Sequence, residues 1–269
     1  MEDRIQVTIT GGVADVRMVR IDKMNALDDA MFQALIDTGE RLKTEPGVRA
    51  IVLSGDGRGF CAGLDMGNFA KMAEGPRTAS AGDVLLTPKR TEGGSNRAQH
   101  AVMVWREQTV PVIAAIHGVA LGGGFQLALG ADMRFVTPDA KMAVLEIKWG
   151  LIPDMAGLVL MKRLVRDDVA RELTYTGRVF TGEEALKLGF ATRVCADPRA
   201  EALVLAAEIA SKNPAAIRAG KRLLDMAHDA DQHAILKFES KEQGALIGSP
   251  NQIEAVMSNM QKRQAVYAD

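Results

Sequence analysis

Hydrophobic and polar residues alternate from Gln6 to Thr10 and again from Val13 to Val19, with Gly11-Gly12 between the two runs. Period-two alternation across a two-residue glycine turn predicts a β-hairpin, and so an antiparallel start to a sheet. The spacing changes at Asp28, where Met31, Leu35, Ile36 and Leu42 fall on one helical face up to Leu42. Two short apolar runs follow, AIVLSG after Arg49 and VIAAI after Pro111, each ending in turn residues as a buried strand does.

Gly118 and then Gly122-Gly123-Gly124 interrupt the second of these, and FQLALGAD after them reads as a helix. MRFV and KMAVLE predict strands joined by the turn TPDA, and Met155 to Val165 returns to helical spacing. Thr181, with Glu184 three residues later, predicts a capping box for a short helix that Gly189 closes. From Pro198 onward only helical spacing remains, broken at Asn213-Pro214 and at Pro250. The pattern therefore predicts an α/β chain with an alternating core over residues 1–197 and a helical region over residues 198–269. Gly75 to Gln99 is long, polar and without period, which predicts either a lid over a site or a surface loop. No internal repeat of solenoid length is present.

Composition narrows the classes. With 269 residues, 47% of them hydrophobic and 25% charged, the chain has enough apolar material for a full core without metal or disulfide support. A net charge of −1 gives no electrostatic case for nucleic acid or an anionic membrane. Cys61 and Cys195 are the two cysteines, and they fit neither a disulfide framework nor a zinc site. The N-terminus has no apolar signal region, and no apolar run is long enough to cross a membrane; the expected location is the cytoplasm.

Two glycine-containing turns stand at strand ends, GFCAGLD (Gly59 to Asp65) and LGGGFQ (Leu121 to Gln126). Small residues there admit a ligand close to the backbone, and free N–H groups at a helix start favour a developing negative charge. That is the chemistry of an oxyanion hole, although a tight strand-to-helix connection explains either turn taken singly. The G-x-G-x-x-G spacing of a dinucleotide site is missing, and no glycine turn runs into the Lys-Ser/Thr of a phosphate loop.

The order NAL (Asn25 to Leu27), FCAGLD, HGVALGGGFQLALGADMRF (His117 to Phe135) and LEIKWGLIPDMAG (Leu145 to Gly157) resembles the crotonase, or enoyl-CoA hydratase/isomerase, superfamily over nearly the whole chain. The resemblance implies a spiral of ββα units with a C-terminal helical region that assembles trimers or hexamers. It implies an acyl-CoA thioester substrate, with CoA part of the substrate, no separate cofactor and no metal. By position, the Leu64 and Gly123 amides hold the thioester oxygen. Ala62, Gly63 and Asp65 lie toward the adenine end, Lys23, Asn25 and Ala26 line the CoA groove, and Gly122 and Gln126 complete the substrate contacts.

Family hydratases place two glutamates about the double bond, at positions held here by Gln126 and Glu146. A glutamine exchanges no proton at neutral pH, so that pair is incomplete. Glu146 is the expected proton carrier. Asp154, eight residues on, matches an aspartate of dienoyl-CoA isomerases and is equally well a helix N-cap. His117 reads as a packing or hydrogen-bonding residue and Cys61 as an inert buried thiol; Lys262 and Arg263 are expected in solvent. Double-bond isomerisation is therefore favoured, with hydration proper or a catalytically silent acyl-CoA-binding subunit as the alternatives.

Overall fold

A computed structural model describes residues 4–65, 67 and 90–269. The predicted hairpin is β1 (Ile5–Thr10) paired antiparallel with β2 (Val13–Met18), Thr10 opposite Val13 across the glycine turn. Then follow α1 (Asp29–Thr44), β3 (Ala50–Gly55), α2 (Arg97–Arg106), β4 (Val112–Ile116) and β5 (Val119–Leu121). The core continues with α3 (Gly123–Leu129), β6 (Met133–Val136), β7 (Lys141–Ala143), α4 (Gly157–Met161), α5 (Asp167–Thr176), α6 (Gly182–Leu188) and β8 (Arg193–Val194). Four helices end the chain: α7 (Pro198–Ala210), α8 (Pro214–Ala227), α9 (Gln232–Leu246) and α10 (Pro250–Met260).

The main sheet has the order β1-β2-β3-β4-β6-β8, parallel after the first pair, while β5 and β7 form a separate parallel ladder. Single bridges extend that ladder in both directions, Leu27 to Leu64, Cys61 to Ala120 and Met142 to Phe180. Successive turns of the chain thus give one strand to the large sheet and one rung to the small ladder, which is the spiral the sequence led us to expect.

Both faces of β3 and β4 are covered, so their side chains are apolar without alternation. Ile51, Leu53, Val112 and Ala114 enter the main core, whereas Ala50, Val52, Ile113 and Ala115 meet Ala202, Ala206 and Ala210 of α7. The four-residue spacing of those alanines puts them on one helical stripe, and their size lets α7 lie close to the sheet. Below α3, Phe125 meets Phe180 and Phe190 edge to face, with ring centres 5.6 and 5.2 Å away. This contact anchors the helix that follows the three glycines.

Two local expectations need correction. The aperiodic segment ends before Gln99: Asn96 caps α2 reciprocally with Gln99, a capping box inside what composition marked as loop. Residues 75–89 of that segment, and with them the question of a lid, lie outside the described residues. The strand sought in KMAVLE stops at Ala143, because Glu146–Trp149 turns into a 3₁₀ helix. Thr181 caps α6 through the Glu184 N–H, and Gly189 closes it in the left-handed conformation.

Candidate functional site

The two glycine-containing junctions meet. Leu27 N–H donates to Gly63 O at 2.8 Å and Asp65 N–H donates to Leu27 O at 3.1 Å. Peptide groups alternate sides along an extended strand, so the N–H of Leu64, between these two bonds, points away from Leu27. Gly123 opens α3, where a helix has no internal acceptor for its first N–H groups. Among the described residues, neither the Leu64 nor the Gly123 N–H has a hydrogen-bond partner.

Gly63 sits between the junctions with φ +89°, and a Cβ built on it would lie 2.5 Å from Leu121 O and 3.7 Å from the Gly123 nitrogen. Only glycine reconciles that backbone angle with that proximity. Gly122, at φ +52°, donates its own N–H to Ala143 O at 2.9 Å, which pins the second junction to the small ladder. Its α-carbon faces Glu146: a Cβ there would lie 3.4 Å from Oε1.

Glu146 stands at the start of the 3₁₀ turn after β7. Gln126 Nε2 donates to its Oε1 at 2.6 Å, while its Oε2 is buried with no partner among the described residues. Burial lifts the Glu146 carboxyl above the usual glutamate range; hydrogen bonds from the backbone and from Gln126 hold part of that rise back, and the charge of Asp154 adds to it. Asp154 is raised as well, again by desolvation, although the residue as a whole is exposed. The charge of Asp154 thus reaches Glu146, whose Oε1 lies against Gly122, the residue before Gly123.

Asp154 is not the cap of α4. Ala156, in the left-handed conformation, precedes that helix without a side-chain cap bond. The N–H groups of Met155 and Gly157 donate instead to Gln126 Oε1, each at 2.9 Å. Gln126 is 1% exposed and both ends of its amide are engaged within the protein.

Asn25 turns inward in the same way. It is fully buried, and its Nδ2 donates to Asp56 O and Gly59 O at 3.0 and 2.9 Å. Its backbone carbonyl accepts from Cys61 Sγ, so Asn25 holds the first junction from within and has no surface for a CoA arm. Ala26 is buried too, its N–H donating to Lys23 O and its carbonyl accepting from Arg20. In this stretch Lys23 is exposed and Met24 half-buried. Ala62 is half-buried and spends its N–H on Met24 O. Asp65 accepts from Gly67 N–H and Arg20, which hold its carboxyl below the usual range.

Arg20 was not singled out in the sequence. Its guanidinium joins Ala26 O, Asp65 and Asp28, tying the NAL segment to the FCAGLD turn. A lone arginine 45 residues from its main partner in sequence carries no local signal. His117 Nε2 meets Gly57 O at 2.9 Å, a structural bond. Cys61 is fully buried, and desolvation pushes its thiol up to about 12, which disfavours a thiolate at this position. Arg263 is paired with Glu254. A cavity of about 490 Å³ between the core and α8, lined by Leu129, Leu160, Ile217 and Leu224, includes none of Leu64, Gly123 and Glu146. No cluster of potential metal ligands exists among the described residues.

A sequence model described as enoyl-CoA hydratase/isomerase matches residues 8–269. The chain is 30% identical to the mitochondrial Delta(3,5)-Delta(2,4)-dienoyl-CoA isomerase of Mus musculus, over 97% of this chain and 80% of that protein. It is 32% identical to a probable enoyl-CoA hydratase of Bacillus subtilis (strain 168), over 90% of each. Among solved structures, a putative enoyl-CoA hydratase from Streptomyces coelicolor A3(2) superposes with a TM-score of 0.88 at 31% identity, covering 98% of this chain and 94% of that one.

Proposed function

Since the chain belongs to the enoyl-CoA hydratase/isomerase family, we propose that it is an enzyme that moves a double bond along the acyl chain of an unsaturated acyl-CoA thioester. One observation carries the preference for isomerisation: the site pairs a proton-exchanging carboxylate, Glu146, with an amide, Gln126, that exchanges none. Hydration must both activate a water and protonate carbon, whereas a double-bond shift needs one group that takes a proton and gives it back.

In this reading the thioester oxygen sits between the Leu64 and Gly123 N–H groups. Charge accumulates on that oxygen as a C–H bond breaks and the electron pair moves into the enolate, and the two amides stabilise it there. Loss of one such donor costs about 2.7–4 kcal/mol in other enzymes. Glu146 takes the proton on Oε2. Asp154 adds its charge to the burial that raises the Glu146 carboxyl and serves as a second proton site farther along the chain. Lys23, Ala62, Gly63 and Asp65 border the CoA arm, Gly122 lies under the thioester, and the exposed Ile147, Leu151 and Ile152 are apolar contacts for the acyl group. No metal or further cofactor takes part.

The chain acts as a homotrimer or hexamer through residues 198–269, appended to the catalytic core of residues 1–197. In support, α9 has no buried residue, and Leu236, Ile253, Val256 and Met260 are exposed apolar side chains on α9 and α10. We assign it to the cytoplasm; among the described residues no helix is long and apolar enough to cross a membrane.

Steady-state assays with a 3,5-dienoyl-CoA and a 2-enoyl-CoA test the reading. We expect faster isomerisation than hydration, and loss of that activity in Glu146→Gln. Rapid hydration that survives Glu146→Gln would overturn it.

A further inference from the structure

Glutamine orientation is often ambiguous, but here the surroundings assign it. Two backbone N–H groups, from Met155 and Gly157, converge on one end of the Gln126 amide, so that end is the oxygen. The other end is then the NH₂ group, a donor only, and it faces Glu146 Oε1 at 2.6 Å. An oxygen that receives a donor at this distance is best left as the acceptor, because a carbonyl-type oxygen accepts more strongly than a hydroxyl one. When Glu146 is neutral, the geometry therefore favours its proton on Oε2, the oxygen with no partner among the described residues.

We infer that Gln126 is a positioning residue that commits Glu146 to proton transfer through Oε2 alone, by tying the carboxylate to the segment that opens α4. The inference rests on the proposed role of Glu146. It adds that any proton Glu146 takes or gives passes through Oε2, with Oε1 held by the amide throughout. The anchor is rigid: Gln126 lies within α3, and a Cβ on Gly157 would lie 2.7 Å from its Oε1, so the α4 segment packs directly on the amide. Displacement of a reacting group by about 1 Å costs on the order of 100-fold in rate, which sets the scale of what such an anchor protects.

The charged groups around Glu146 leave this role to Gln126. Asp154, on the segment before α4, acts on it through charge. On the Glu146 turn itself, Lys148 lies over the Trp149 ring. On α5, which packs against that turn, Asp167 pairs with Arg171, Asp168 with Arg166 and Glu172 with Arg178.

The test compares wild type, Gln126→Met, Gln126→Glu and Glu146→Gln in the full chain. The readouts are kcat and KM for a dienoyl-CoA across pH, deuterium uptake from solvent at the acyl carbons, and the melting temperature. Gln126→Met keeps the volume and loses both the donor and the acceptor. We expect kcat to fall by about 100-fold with KM within about twofold, and the acid limb of the profile to move to higher pH, because a donor that favoured the carboxylate is gone. Should Gln126→Met fail to fold, Gln126→Glu decides, since one of its oxygens still accepts from Met155 and Gly157. Its other oxygen meets Glu146, the two carboxylates share one proton, and the acid limb again moves to higher pH. An unmoved acid limb in Gln126→Glu, with kcat near wild type, overturns the inference. Retention of full rate by Glu146→Gln instead overturns the proposed role of Glu146 itself, so the two failures are distinguishable.

Discussion

The α-carbon of Gly63 faces the carbonyl oxygen of Leu121 so closely that a Cβ there would stand 2.5 Å from it. Both partners are backbone, so neither can rotate away. This contact sets the distance between the two junctions whose free N–H groups define the site. Gly63→Ala must also hold an alanine at φ +89°, a conformation whose strain is about 1–3 kcal/mol before the clash is counted. The expected result is a loss of at least that much stability in chemical denaturation, together with a fall in kcat/KM as Leu64 shifts. A variant with wild-type stability and rate would show that the junctions are not held by this contact.

Glu146 and Asp154 make stability depend on pH. Burial raises both carboxyls, so over the interval between their ordinary and raised values the folded chain binds more protons than the unfolded one. Stability then declines as pH rises through that interval and stays lower above it. Glu146→Gln removes one contribution and still offers an oxygen to Gln126. Thermal melts from about pH 4 to about pH 8 are expected to show the variant gaining on wild type as pH rises. A gap that does not change with pH would contradict the assignment of Glu146 as a desolvated carboxyl.

Asn25 predicts a separation of stability from binding. Asn25→Ala strands the Asp56 and Gly59 carbonyls and leaves alanine at φ +57°, so a loss of about 1–3 kcal/mol is expected for the polar groups. The dissociation constant for CoA, measured by calorimetry on the folded variant, should change little. A large loss of CoA affinity at unchanged stability would return Asn25 to the groove.

The cysteines predict a count. Cys61 is buried and its thiol pushed up to about 12, whereas Cys195 is half-buried. A thiol reagent at neutral pH should therefore titrate one cysteine in the native chain and two after denaturation. Rapid native reaction at Cys61 would mean that the first junction opens.

These outcomes also mark how far the sequence could be read. The β1–β2 hairpin and the strand runs at β3 and β4 came through because their patterns are local and of fixed period. The start of α2 was hidden, although Asn96 and Gln99 spell a capping box, because polar composition just before it masked the signal. Glu146 was legible through the family resemblance, since its place after an apolar strand fits an ordinary glutamate equally well. The inward turn of Asn25 and the engagement of Gln126 were not, since their partners lie 31–34 and 20–31 residues away in sequence. Asp154 shows the same limit: a good capping residue beside a helix start loses the cap to Gln126, which reaches it from α3.

The most direct measurement is a crystal structure with an unreactive acyl-CoA analogue bound. The account predicts the thioester oxygen within about 2.7–3.1 Å of both the Leu64 and the Gly123 nitrogens, and Glu146 Oε2, rather than Oε1, turned toward the acyl carbons. A thioester oxygen seated away from either nitrogen, or a Glu146 carboxylate facing away from the acyl chain, would contradict it.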